Sequence, residues 1–423
     1  MDSILCAKSE LCIFEPTAMQ VVMENSLWCD IHPTSSIDKS NVIEFLISGS
    51  TTDYLDLNDT ILSLTCRVRD NQNNAPDAEA YADIQVVNYL MHALFTDVKV
   101  FLNDVQIEGG GNLYPYKSVI QNELNFSGDT KNVQLTTAGY ADKDSTKLKD
   151  YCKDGLTFQL IGSLNIDFFQ TQSKYIIPGV DVKLLLERSK HNFTMQIPAN
   201  AVVAQVKPQI SIMDAVIYVR KVQCAQPVLI GHELGLEKQN AIYPYQKTEC
   251  ITYNISQGAH SFIQENLFRG NVPKFAIVAL VQDAAMNGAY KLDPFAFSHY
   301  DLNFISLFCD GHAIPYRTGY KPDFEGKQFA REYFMSIIQN MEHMRKNVNC
   351  GITLDEWAND GKTYFTFNLT PDFCMNQAQP PRKGNMRVEI NFQKATPHSI
   401  NVVIIGIFDA AIQITKQRRI LRQ

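Results

Sequence analysis

Apolar and polar residues alternate in two ten-residue stretches that lie about two hundred positions apart. Residues 98–107 read VKVFLNDVQI and residues 305–314 read ISLFCDGHAI, each with a two-residue polar break, Asn103-Asp104 or Asp310-Gly311. A period of two is typical of a strand with one buried face. Asp-Gly favours a tight two-residue turn, because both central positions then have positive φ. Both stretches are therefore predicted to be β-hairpins, related by an offset of 207 between Asn103 and Asp310.

Other segments recur in the same order at similar offsets. The matched pairs are 42–50 (VIEFLISGS) with 250–259 (CITYNISQGA), 118–122 (SVIQN) with 336–340 (SIIQN), 157–160 (TFQL) with 366–369 (TFNL), 182–186 (VKLLL) with 388–392 (VEINF), and the apolar runs 210–219 with 401–414. Each match is short, but their collinear order is hard to obtain by chance. The chain is therefore predicted to be an internal duplication, with a second copy lengthened by about 11 residues before SIIQN.

The elements of each copy predict an all-β fold with short helices. Short alternating runs are separated by polar connections at 70–83, 127–155 and 371–386, and no strand leads into a Gly-rich turn and a long helix. This pattern favours antiparallel sandwiches over a doubly wound sheet. The connections 127–155 and 342–363, which are rich in Lys, Asp and Asn, are predicted to face solvent. About eight strands per copy indicate a double jelly roll, that is, two tandem eight-stranded antiparallel sandwiches. The predicted division is an N-terminal arm 1–40, a first jelly roll 41–225, a second 226–415 and a basic C-terminal tail 416–423.

Composition is that of a globular protein made in the cytosol. The 423 residues are 45% hydrophobic and 20% charged, the opening MDSILCAKSE lacks an apolar core, and the most apolar run, VVIIGIF at 402–408, is too short for a membrane-spanning segment. The ten cysteines show no CxxC spacing and several lie in strand-like runs, so they are predicted to be reduced, buried thiols.

The net charge of −7 argues against a general nucleic-acid binder. The exception is the C-terminal sequence KQRRILR, which carries Lys416, Arg418, Arg419 and Arg422. Such a tail is either a solvated terminus or a segment that faces nucleic acid in the interior of an assembly or a neighbouring protein. The sequence leaves both interpretations open.

Motifs for catalysis or metal binding are missing from the sequence. It contains no HExxH, GxSxG, P-loop or EF-hand pattern, and GGGN at 109–112 lacks the Lys-Ser/Thr of a phosphate loop. His232-Glu233, Glu342-His343 and Cys309-x-x-His312 are isolated pairs, whereas a metal site needs three or four ligands. Asp355-Glu356 is a poor acid/base pair, because adjacent carboxylates point apart. No catalytic, cofactor-binding or metal-ligating residue is predicted, although distant loops could still converge.

Several long segments resemble the major capsid proteins of Polinton/Maverick elements and the related adintoviruses. They are 43–68, 87–104, 113–127, 138–144 and 401–414, of which TDYLDLNDT and LFTDVKVFLND are the most specific. The resemblance covers nearly the whole chain in order, and it is looser at ELCIFEPTAMQ near the N-terminus.

The resemblance implies a double jelly roll of which three copies form a capsomer. Three chains with two similar lobes each present six lobes, so a trimer can fill a hexagonal position in an icosahedral shell around double-stranded DNA. It further implies neighbouring capsomers and a penton or minor capsid protein as partners, and location in the virion after synthesis in the host cytoplasm and assembly in the nucleus or cytoplasm. The alternatives are a two-lobed jelly-roll enzyme, such as a hydrolase or copper monooxygenase, and a tandem jelly-roll glycan-binding protein.

Overall fold

The computed structural model describes residues 19–37, 40–69, 84–142, 146–170, 174–197 and 207–422. Cys6, Cys12 and the polar connection 70–83 lie outside the described residues. The strands of the first lobe are β1 Met23–Ile31, β2 Val42–Ile47, β3 Asp53–Arg69, β4 Phe95–Leu102, β5 Val105–Glu108, β6 Thr157–Gly162, β7 Val182–Arg188 and β8 Gln209–Cys224. Those of the second lobe are β9 Ala241–Ile255, β10 Ser261–Leu267, β11 Phe275–Gln282, β12 Leu302–Cys309, β13 His312–Ile314, β14 Tyr364–Asn368, β15 Met386–Phe392 and β16 Ile400–Ile414.

The two lobes share one strand order. In the first lobe the sheets run β1-β8-β3-β6 and β2-β7-β4-β5, and in the second they run β9-β16-β11-β14 and β10-β15-β12-β13. All of these pairings are antiparallel. Adding eight to each strand number of the first lobe gives the order of the second. Each lobe is thus a jelly roll of two four-stranded sheets.

The hairpins predicted from the sequence occupy matching places in the two lobes. Leu102 pairs with Val105 and Cys309 pairs with His312, so each turn has two residues. All four turn residues have positive φ, including Asn103 at 42° and Asp104 at 65°. Asparagine and aspartate tolerate this left-handed region better than other non-glycine residues, which is why Asn-Asp serves where the second copy has Asp-Gly.

Short helices lie in the connections between strands. The α-helices are α1 Leu90–Ala93, α2 Tyr114–Asn125, α3 Gly128–Thr130, α4 Lys147–Asp150, α5 Asp167–Gln170, α6 His191–Thr194, α7 Gln226–Leu236, α8 Asp283–Met286, α9 Ala330–Tyr333 and α10 Leu354–Asn359. Lys131–Leu135 and Phe334–Gln339 form π-helices, and within the described residues three short 3-10 helices and further short strands occur in the connections. The SVIQN repeat lies on α2, which follows β5. The SIIQN repeat lies on the second π-helix and the residue after it, and this helix follows β13, the counterpart of β5.

Two details differ from the sequence analysis. β1 lies within residues 1–40, predicted as an arm, and it pairs along β8 as an outer strand of the first lobe. The pattern hid this strand because most of it is exposed on both faces. The match of 42–50 with 250–259 is wrong, since 42–47 is the second strand of its lobe whereas 250–255 belongs to the first strand, β9. Short β patterns repeat too easily to fix which strands correspond.

The hydrophobic core runs through both lobes. Alternating residues of the facing sheets fill each sandwich, for example Val98 and Val100 in β4 and their counterparts Ile305 and Leu307 in β12. The buried apolar residues of both lobes form one contiguous cluster. The lobes are therefore packed against each other and not merely tethered.

Candidate functional site

One contact between the lobes is made by the free edge of β9. Among the described strands it pairs only with β16, and its other edge meets the first lobe. There the carbonyl of Ile242 accepts a hydrogen bond from Lys174 Nζ at 2.9 Å, and the N–H of Thr248 donates to the Asp167 carboxylate at 2.6 Å. Pro244 lies between Ile242 and Thr248 at an alternate position of the strand, so its backbone nitrogen faces the same free edge. Because no described strand pairs at that edge, the N–H group that proline lacks removes no hydrogen bond from the sheet. Side chains of the first lobe thus replace the strand that an open edge would otherwise attract.

A buried ion cluster stands behind this edge. Lys117 on α2 lies 2.9 Å from Asp167 and also pairs with Glu108 at the end of β5. The backbone N–H of Asp167 donates to Glu108 at 3.1 Å, and the hydroxyl of Thr248 donates to Asp167 at 3.0 Å. These bonds link the end of β5 and two connections of the first lobe to a strand of the second.

Electrostatics in the cluster favour a protonated Glu108. Burial, and then the neighbouring Asp167 carboxylate, raise the pKa of Glu108 to about 7. Burial alone would lower the pKa of Lys117, but the two carboxylates outweigh it and raise that pKa above its ordinary value. Lys117 therefore stays charged and holds both acidic side chains in place.

A second ion cluster joins the connections at another part of the junction. Glu123 accepts hydrogen bonds from the Tyr89 hydroxyl at 2.8 Å and from Lys131 at 2.7 Å. Lys362 of the second lobe lies 3.9 Å from Glu123 and pairs with Glu356 at 3.0 Å. Lys131 is only 1% exposed. The connections 127–155 and 342–363, predicted to face solvent, thus contribute Lys131, Glu356 and Lys362 to this cluster.

Two further contacts bring the connections together. Tyr116 and Phe193 of the first lobe pack edge-on against Phe295 of the second, with ring centroids 5.8 and 5.7 Å apart. At Gly351, which has φ of 72°, a Cβ would lie 2.6 Å from the Gly128 nitrogen, so only glycine allows the two backbones to approach this closely. Aromatic packing and close backbone contact together fix how the lobes sit side by side.

The cleft beside the first ion cluster has little scope for catalysis. It has a volume of about 760 Å³ and includes Glu108, Lys117, Asp167 and Arg422 in its lining. A glycoside hydrolase with its active site in this cleft would need one carboxyl group as the acid and a second one free to act as base or nucleophile. Here Lys117 lies between the two carboxylates, and backbone N–H groups and Thr248 take up their remaining lone pairs. The cluster is built as a joint between lobes.

The isolated pairs noted in the sequence are engaged in local contacts. His232 hydrogen-bonds the Tyr54 hydroxyl at 2.7 Å, and Glu342 accepts the N–H of Met375 at 2.7 Å. Glu356 and Thr353 form a capping box at the start of α10, which makes Asp355-Glu356 part of a helix terminus. Across the described ranges, no group of three or more His, Cys, Asp or Glu side chains is arranged to hold a metal ion. Among the same residues, no helix has the length and apolarity needed to cross a membrane.

The basic tail folds back onto the molecule. Ile420–Arg422 pairs with Ile412–Ile414 of β16, antiparallel. Arg418 donates to the Pro178 carbonyl of the first lobe at 2.7 Å and pairs with Glu233 on α7, while Lys416 pairs with Glu237 at 2.8 Å. The remaining two cations, Arg419 and Arg422, are exposed. Two of the four predicted tail residues therefore brace the lobes, and two point to solvent.

No family model matches the chain, but a known protein is similar to nearly all of it. A Caenorhabditis elegans protein, named uncharacterized protein F54H12.2, is 24% identical over 417 residues that cover 94% of this chain and 97% of that protein.

Solved structures of viral particles and capsid proteins resemble the whole chain. A chain of the cryo-EM structure of the Sputnik virophage has a TM-score of 0.64 at 11% identity, covering 100% of this chain and 93% of that one. A chain of the PBCV-1 virus capsid has a TM-score of 0.60 at 10% identity, covering 97% and 98%. The mavirus major capsid protein has a TM-score of 0.50 at 11% identity, covering 100% and 96%. These likenesses extend over both lobes and confirm the predicted double jelly-roll fold.

Proposed function

We propose that this chain is a major capsid protein that forms homotrimeric, pseudo-hexameric capsomers of an icosahedral shell around double-stranded DNA. The observation that carries the proposal is the pair of lobes with one topology, fixed side by side by the β9 joint. A duplicated lobe lets a threefold oligomer present six similar outer faces, which suits a hexagonal lattice. The whole-chain likeness to structures from viral capsids supports it.

The proposed family is the major capsid proteins of Polinton/Maverick elements and adintoviruses, on the sequence resemblance described above. The protein would then be synthesised in the host cytoplasm, assemble there or in the nucleus, and reside in the virion. Its partners would be copies of itself, neighbouring capsomers and a penton or minor capsid protein. Catalysis has no place in this function, because the buried carboxylates serve the lobe joint.

The test is the mass and assembly of the full chain. We expect multi-angle light scattering after size exclusion to give three times the 47.9 kDa of one chain, and electron micrographs to show hexagonal particles or shells. A monomer at every concentration, without assembly in any buffer, would contradict the proposal. Metal content in the purified monomer would favour the enzyme alternative, and binding of a monomer to a glycan array would favour the lectin alternative.

A further part of the proposal concerns contact between the basic C-terminal tail and packaged DNA. Arg419 and Arg422 are exposed, whereas Lys416 and Arg418 pair with Glu237 and Glu233, and we therefore propose that the first two make a weak contact with packaged DNA. We expect Arg419→Ala/Arg422→Ala to reduce both the affinity for duplex DNA and its salt dependence in fluorescence anisotropy. Lys149→Ala/Lys153→Ala is the charge-matched control on another surface. Equal losses in the two double variants would remove the tail from genome contact.

A further inference from the structure

The first strands of the two lobes occupy the same place in their sheets but differ in exposure. β9 begins the order β9-β16-β11-β14, and its Tyr243 and Tyr245 are 3% and 8% exposed because the first lobe covers them. β1 begins the order β1-β8-β3-β6, and its Leu27 and Trp28 are 64% and 46% exposed. Among the described strands, β1 pairs with β8 alone. A long open edge with large apolar side chains is a surface that another chain covers.

The face that holds β9 has a counterpart in the second lobe. In the first lobe this face consists of α2, which follows β5, and α5, which follows β6. The matching connections of the second lobe are the π-helix Phe334–Gln339, which follows β13, and the loop 371–379, which follows β14. The N–H of Met375 donates to Glu342 at 2.7 Å, so this loop lies against the end of that helical segment.

Exposed phenylalanines occur on both of these counterpart segments. The offset of 218 between SVIQN and SIIQN aligns Tyr116 with Phe334. Tyr116 is 2% exposed because it packs against the second lobe, whereas Phe334 is 41% exposed. On the neighbouring loop, Phe373 is 46% exposed. Each of the two counterpart segments of the second lobe thus exposes a phenylalanine.

We propose that β1 of one chain docks on the Phe334–Phe373 face of a second copy and repeats the joint that β9 makes within the chain. The proposal rests on the proposed function and names the surfaces that close its trimer. The contact is heterologous, since an edge on one copy meets a face on the next. Three such contacts alternate with the three internal joints around a ring of six lobes.

Two single substitutions test the two sides of this contact. Leu27→Asp changes the β1 edge and Phe334→Asp changes the face on which it docks. Each substitution places a charge at the centre of the proposed apolar contact and should weaken it. We expect each to raise the concentration for half-dissociation of the trimer at least about tenfold, as measured by light scattering. Both side chains are exposed in the single chain, so far-UV circular dichroism should be unchanged. Trp28→Ser serves as a second edge variant if Leu27→Asp does not fold.

Mixing the two variants tests the direction of the contact. A Leu27→Asp chain keeps its face and a Phe334→Asp chain keeps its edge, so an equimolar mixture should form a heterodimer that cannot close into a ring. The control is Ile263→Asp on β10, which is 54% exposed but lies on neither surface, and which should remain trimeric.

Each outcome separates this inference from the proposed function. If the native chain is trimeric and both variants stay trimeric, or the mixture forms no heterodimer, the inference is overturned and the capsid function stands. Dissociation of the Ile263→Asp control to the same extent would also overturn it. If the native chain is monomeric throughout, the trimeric function itself fails.

Discussion

Individual charges buried at the lobe junction are the residues on which the arrangement of the lobes depends most. Lys117 is 6% exposed and pairs with Asp167, which is 4% exposed, and with the partly buried Glu108. Removing one member of such a cluster costs more than the cluster contributes, because the remaining charges stay buried and unpaired.

Lys117→Met is therefore expected to lower the free energy of unfolding by about 3–5 kcal/mol. Urea denaturation followed by circular dichroism measures it. Lys153→Met removes a cation that pairs with Asp150 at the surface, and it should change stability by less than about 1 kcal/mol. Similar losses in the two variants would show that burial does not set the cost.

The raised pKa of Glu108 predicts a pH dependence with a definite sign. Between the ordinary carboxyl value of 4.5 and the native value of about 7, the native state keeps a proton that the unfolded chain has released. The contribution of Glu108 to stability is therefore complete below pH 4.5 and is lost as pH rises through 7. We expect the stability of the native protein relative to Glu108→Gln to fall by roughly 3 kcal/mol at most across this window. Urea titrations at several pH values measure it, and parallel curves would contradict it.

Sequence patterns could not reveal these residues. Glu108 ends strand β5, whereas Lys117 and Asp167 lie on α2 and α5 in two different connections, and a local pattern cannot show that the three residues meet. The same limit explains Lys131 and Trp357, which are 1% and 0% exposed within connections predicted to face solvent. Lys131 is buried against Glu123 of α2, and Trp357 packs against Phe324 and Phe365, which are contacts between separate segments that a local window cannot see. Buried alternate positions such as Val98 and Ile305 were predictable, because one strand face decides them.

At the scale of elements, the tail hairpin acts as a brace between the lobes. Arg418 bonds to the first lobe at Pro178 and to α7 at Glu233, while its own carbonyl accepts from Asn103 at 2.9 Å. The tail residues are charged, and the sequence alone offered solvation or nucleic acid as their partners. The acidic partners on α7 become visible only once the helix is placed beside the end of β16.

Arg418→Ala should lower the free energy of unfolding by about 1–3 kcal/mol, because it leaves the Pro178 carbonyl and Glu233 without this partner. Thermal melts monitored by circular dichroism are sufficient to detect the change. Arg419→Ala, on the exposed side of the same hairpin, should leave the midpoint within error. A larger effect from Arg419 than from Arg418 would contradict the bracing role.

Strand correspondence was predictable for most elements of the duplication and failed at the first strand. The hairpins, the strands β6 and β14, and the closing strands align as their sequences suggested. β1 was not predicted as a strand, because neither of its faces is buried within one chain and its sequence therefore lacks alternating apolar residues. A strand that is covered only by a neighbour lacks the alternation on which recognition depends.

The whole molecule should unfold as one unit. Its buried apolar residues form one cluster through both lobes, and two ion clusters cross the junction. We expect a single calorimetric transition for the isolated chain, with a calorimetric enthalpy that equals the van't Hoff enthalpy. Two resolved transitions would mean that the lobes are energetically independent.

The connection between β8 and β9 sets the order in which joints form. Only the 16 residues 225–240, including α7, separate the two strands, so each lobe meets its own partner at an effective concentration in the millimolar range. Free copies in a cell are far more dilute than that. Intramolecular closure therefore precedes recruitment of other copies, and a newly made chain meets its neighbours with the two lobes already joined and with β1, Phe334 and Phe373 still exposed.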